Sequence, residues 1–98
     1  MKKHTKIYLN SLNLDETDFI PSEISGKKAV DIHHIIGRGK CGEDRIENLM
    51  ALTREEHLKY GDKKEFMSFL LLTHLRHLEL MNVNYNKQYL EDKIYEYS

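Results

Sequence analysis

The stretch from Lys28 to Glu56 permits few backbone paths. Lys28 to Ile36 carries the β-branched residues Val30, Ile32, Ile35 and Ile36, which suit a pleated strand. It runs into Gly37-Arg38-Gly39-Lys40-Cys41-Gly42-Glu43-Asp44, where three glycines in six positions predict a loop. Leu49 to Leu52 is a short apolar run that predicts a second strand. Thr53-Arg54-Glu55-Glu56 fits a capping box, in which the Thr53 hydroxyl accepts from a helix amide and the Glu56 carboxylate reaches back to the Thr53 N–H. Strand, loop, strand and helix must therefore follow one another in that order.

The flanks are read from period and punctuation. The capped helix starts near Arg54, carries His57 in its first turns, and is ended or kinked by Gly61. Asp62-x-x-Glu65 offers a second cap signal for a longer helix from about Lys63 to Met81. Its Phe66, Phe69, Leu70, Thr73, Leu75, Leu78 and Leu80 make a band too broad for one stripe, so much of it is expected to be buried. A last helix, about Lys87 to Tyr97, places Tyr89, Leu90, Lys93, Ile94 and Tyr97 at helical spacing. Upstream, residues to about 25 read as an irregular arm with a short strand at Ile7 to Leu9, then the acidic Asp15, Glu16 and Asp18. Pro21 and Ser25-Gly26 mark turns.

Size and composition set limits on this arrangement. A chain of 98 residues forms one domain, 1–98, with one small core. Such a chain buries roughly 65% of the surface that it exposes when unfolded, so a ligand, metal or partner would help it. Cys41 is the only thiol, which excludes an internal disulfide framework and any cysteine-based zinc site within one chain. The formal charge is -1, so composition alone announces no nucleic-acid binder. The amino terminus lacks the apolar core of a signal peptide, and no run approaches the roughly 20 apolar residues of a membrane span. A cytoplasmic protein with no membrane association is the default expectation.

The chemistry concentrates around the glycine loop. His33 and His34 are adjacent at the end of the first strand, and neighbours on a strand point to opposite faces, so one can face a metal and the other a substrate. Asn48 follows His34 by fourteen residues, and His57 follows Asn48 by nine. Ala29-Val30-Asp31-Ile32-His33-His34-Ile35, the Gly37-Arg38-Gly39 loop, Ile46-Glu47-Asn48-Leu49-Met50-Ala51-Leu52 and His57 together strongly resemble the HNH endonucleases. The resemblance covers about Ile24 to Lys64 and leaves a helical carboxy-terminal extension, about 63–97, outside it.

That resemblance implies an α+β fold, a ββα-metal (His-Me finger) core in which a hairpin and a helix clamp one divalent ion, here with additional carboxy-terminal helices. It implies hydrolysis of DNA phosphodiester bonds. His33 and His57 resemble the metal ligands and His34 the residue that deprotonates the attacking water. Asn48 resembles the motif's middle residue, which braces the loop and orients the general base by hydrogen bonding. The division suits imidazole, whose neutral form is both a ligand and, with an ordinary pKa of about 6.5, a base near neutral pH. Magnesium or manganese is expected, although two histidines would equally accept zinc or nickel. Arg38 and Lys40 are either phosphate contacts or solvated loop charges.

The chain also departs from the family's pattern. Some members carry a third ligand one turn beyond the helix histidine, but position 61 is glycine. Asp62 is an awkward substitute, and water is favoured there. Many relatives bind a structural zinc with two Cys-x-x-Cys pairs; the matching positions are Ser22, Ser25, Thr53 and Glu56, so no structural zinc is expected and polar contacts should replace it. His74 and His77, three apart on the long helix, could share a face and bind a metal, or be partly buried or surface residues. Over Gly26 to Lys64, nine Lys or Arg face seven acids, a net of +2, which predicts modest, salt-sensitive DNA affinity and leaves room for a protein partner that delivers the substrate. The competing readings are a catalytically inactive DNA-binding or adaptor module of the same fold, and a homodimer formed through the long apolar helix.

Overall fold

The computed structural model describes residues 1–98 as an α+β molecule with four α-helices and one two-stranded antiparallel sheet. The elements are α1 (Lys3–Ser11), β1 (Asp31–His34), β2 (Leu49–Leu52), α2 (Arg54–Tyr60), α3 (Lys64–Leu80) and α4 (Lys87–Tyr97), with short 3-10 turns at Arg38–Lys40 and Ile46–Asn48. In the hairpin, Asp31 lies opposite Leu52 and His34 opposite Leu49. Every residue of β2 is buried, and both strands contact both α1 and α2. No helix is long and apolar enough to cross a membrane.

Local chemistry accounts for much of this. The Thr53 hydroxyl accepts from Glu56 N–H and the Glu56 carboxylate accepts from Thr53 N–H, so the capping box opens α2 as its spacing predicts. Gly61 closes α2, and Asn86 caps α4 through Tyr89 N–H. The first strand is shorter than the run from Lys28 to Ile36: only Asp31–His34 finds a partner strand, while Ile35 and Ile36 are core residues beyond its end.

Three expectations are corrected. Ile7 to Leu9 belongs to α1 rather than to a strand, because Tyr8 and Leu9 are buried in the core, with Ile7 and Leu12 packed against it, and that helical face outweighs local β preference. α1 ends in a Schellman motif: Asn13 adopts the left-handed conformation (φ 56°), Asn13 N–H donates to Asn10 and Leu14 N–H to Leu9. Secondly, Asp62 does not cap α3, whose capping residue is Lys63 with no side-chain cap. Thirdly, the buried stripe of α3 is Met67, Leu70, Leu71, His74 and Leu78, whereas Phe69 and Leu80 are exposed.

His74 sits in that stripe because it is fully paired. Its Nδ1 lies 2.6 Å from Glu23 Oε1 and its Nε2 2.6 Å from the Ile46 carbonyl, while the Tyr8 hydroxyl donates to the other Glu23 oxygen at 2.6 Å. A carbonyl and a carboxylate both require N–H donors, which makes His74 an imidazolium paired with Glu23. This network joins α1, the segment before β1, and α3.

Candidate metal-binding and catalytic site

β1 carries both histidines to one cleft. His33 is 4% exposed, and its Nε2 is buried with no hydrogen-bond partner. Such an orphaned nitrogen is costly unless something occupies its lone pair. Burial first, and then the neighbouring His57, push the His33 pKa down to about 4, which keeps the ring neutral and fit to coordinate a cation.

α2 supplies the facing group. The His57 ring lies 4.5 Å from the His33 ring, centroid to centroid, and its Nδ1 is 3.0 Å from Asp31 Oδ2. Asp31 is itself gripped by Arg54 through two bonds of 2.8 and 2.9 Å. The Arg54 bond holds the Asp31 carboxyl below its ordinary range against the opposing effect of partial burial, with His57 helping. A carboxylate on Nδ1 fixes the His57 tautomer and leaves Nε2 free as a donor atom.

Asp62 stands with these two histidines. One ligand atom each from His33, His57 and Asp62 lie within 4.8 Å of one another, a triad that could hold a metal ion. Two local features bring the carboxylate there. α2 stops at Gly61, and Asp62 takes the left-handed conformation (φ 59°), so its side chain is not where continued helix would put it. Gly61 itself leaves essential space: a Cβ there would stand 2.5 Å from the His57 carbonyl oxygen, 2.8 Å from His57 Cδ2 and 3.2 Å from His33 Cε1.

His34 takes a different set of contacts. Its Nε2 is 2.7 Å from Asp44 Oδ1, and Asp44 also accepts from Arg38 at 2.9 and 3.0 Å. The bond from His34, followed by that from Arg38, holds Asp44 below the usual carboxylate range. The ring of His4, from α1, lies 4.6 Å from that of His34. Partial burial, then His34, lowers the His4 pKa.

Asn48 is fully buried and braces the loop at both ends: its Oδ1 accepts from Ile36 N–H, and its Nδ2 donates to the Ile36 and Glu43 carbonyls. Its side chain makes no hydrogen bond to His34. Asp44, next to the braced Glu43, is the residue that holds His34.

A cleft of about 580 Å³ gathers these groups, lined by His33, His34, His57, Asp62 and Arg38 and bounded on one side by Lys2, which precedes α1, and by His4 and Thr5 of α1. Lys40 is exposed and lines no part of it. Ser22, Thr53 and Glu56 converge as a hydroxyl–carboxylate cluster, with Ser22 donating to Glu56 Oε1 and accepting from Ser25 N–H. His74 is not available to a metal with His77, because both of its ring nitrogens are engaged.

Asp31, Asp44 and His4 join the site beyond the residues that the motif spacing marks. Asp31 carries one sequence signal, its place two residues before His33, whereas Asp44 and His4 reach the site only through the fold. No protein family, curated protein or solved structure matches this chain.

Proposed function

We propose that the protein is a metal-dependent endonuclease of the HNH type that hydrolyses DNA phosphodiester bonds. The observation that carries this reading is the clustering of His33, whose buried Nε2 has no hydrogen-bond partner, with His57 and Asp62, beside a second histidine held by a carboxylate at the same cleft. The residues present fit a divalent cation: two imidazoles and one carboxylate at an open cleft. When bound there, magnesium or manganese, or zinc or nickel, would supply Lewis-acid stabilisation of the charge growing on the phosphoryl oxygens and the leaving 3' oxygen.

The protein's own groups do the rest. His34 donates its Nε2 proton to Asp44, which leaves Nδ1 with the lone pair that removes a proton from the attacking water. Asp44 then stabilises the imidazolium that forms, as a carboxylate behind a catalytic histidine does elsewhere. Attack at phosphorus with departure of the 3' oxygen yields a 5' phosphate and a 3' hydroxyl. Asn48 keeps the loop in register so that Asp44 stays on His34. Asp31 keeps His57 turned toward His33.

Nicking of supercoiled plasmid is expected with added manganese or magnesium and none with chelator. A protein inactive in every divalent ion would overturn the enzyme reading and leave the non-catalytic adaptor.

A further inference from the structure

We propose that the first turn of α1 is a binding site for the DNA-strand phosphates that flank the point of cleavage, with Lys2, Lys3 and His4 as its donors. The proposal rests on the nuclease reading of the cleft. It makes α1, which lies outside the segment resembling a known family, a substrate-binding wall.

The geometry comes first. Lys2, His4 and Thr5 line the same cleft as His33, His57 and Asp62. Beyond His34 the cleft continues into a groove of about 620 Å³ lined by Lys2, Lys3, His4, His34, Arg38 and Asp44, with no apolar side chain among them. The lining therefore forms a continuous track from the His33, His57 and Asp62 triad, past the proposed base, to the lysines. A polyanionic strand fits such a track; an apolar ligand does not.

Charge supports the same occupant. No acidic residue precedes Asp15, and neither Lys2 nor Lys3 takes part in an ion pair. Arg38, the other cation of the groove, is already engaged with Asp44. The uncommitted positive charge of the groove therefore comes from Lys2 and Lys3, at the start of α1. The helix is also held firmly in place, with Tyr8 1% and Leu9 4% exposed and the Tyr8 hydroxyl bonded to Glu23. Contacts of this kind position a strand without reading its sequence.

The test is fluorescence anisotropy of a labelled DNA duplex with the full chain, across a salt series and without divalent ion, so that no cleavage occurs. Each lysine lost from a phosphate releases one fewer counterion, so Lys2→Ala with Lys3→Ala should lower the log–log salt slope by roughly 2. Lys2→Arg with Lys3→Arg should restore it. Lys87→Ala with Lys93→Ala removes the same charge from α4, which lines neither cavity, and should leave the slope at the wild-type value. His4→Ala should weaken binding, and unchanged affinity removes His4 from the site. An unchanged slope in the Lys2 and Lys3 variant, an equal fall in both double variants, or a wild type that binds no duplex overturns the proposal. If the slope behaves as expected but plasmid is never nicked, the phosphate site stands and the nuclease reading falls.

Discussion

His33 and His34 show how one step along a strand separates two kinds of chemistry. His33 is buried with an unpartnered Nε2, whereas the Nε2 of His34 is engaged by Asp44. Replacing His34 by Ala should lower plasmid nicking by roughly 10²–10⁴-fold, the usual contribution of a general base. Manganese affinity by titration calorimetry should stay at the wild-type value; its loss would mean that the two histidines exchange roles. Asp31 acts one step further back, by holding the His57 ring. Asp31→Asn should weaken metal affinity by roughly 10–100-fold, as losses of a carboxylate behind a histidine ligand do. An unchanged affinity would show that Arg54 and Asp31 serve only to join α2 to β1.

At the scale of elements, the stop of α2 matters more than its start. The capping box sets where α2 begins, but the site depends on Gly61 ending it so closely against His57 and on Asp62 turning back. Gly61→Ala would force backbone apart, since the added Cβ falls 2.5 Å from the His57 carbonyl oxygen. Overpacking of this kind costs about 1–3 kcal/mol. Thermal melting should show the loss of stability, and calorimetry a weaker metal site; wild-type behaviour in both would refute the close packing described here. α1 illustrates the converse case. Its Ile7-Tyr8-Leu9 run has a strand's composition, yet Asn13, at the left-handed position that closes the helix, was a readable stop signal.

Across the whole molecule, the buried Glu23–His74 pair ties α3 to the segment before β1, with Tyr8 of α1 on the same carboxylate. Burial pulls the His74 pKa down, but the charge and hydrogen bond of Glu23, with the Ile46 carbonyl, outweigh it and the net shift is upward. A raised histidine binds its proton more tightly when folded. Its contribution is complete below the unfolded value of about 6.5 and is lost as pH rises through the folded value. Urea unfolding across a pH series should show this loss on the alkaline side in the wild type. His74→Met should be destabilised near neutral pH, by about 3–5 kcal/mol, because the buried Glu23 carboxylate loses its cationic partner. It should also lack that alkaline decline; the same slope in both proteins would exclude His74 as its source.

What the sequence determined is what neighbouring residues settle among themselves. The order of strand, loop, strand and helix, the capping box at Thr53 and the span of α4 each rest on spacing and on hydrogen bonds within a few residues. The positions of His33, His34, Asn48 and His57 follow from that order. The tertiary structure alone decided the rest, because it depends on groups far apart in the chain. Asp31 meets His57 across 26 residues and Glu23 meets His74 across 51, while α1 is a helix because the core receives Tyr8 and Leu9. Local propensity carries no information about such partners: a buried charge or an orphaned nitrogen finds its counterpart only when the chain has closed around it.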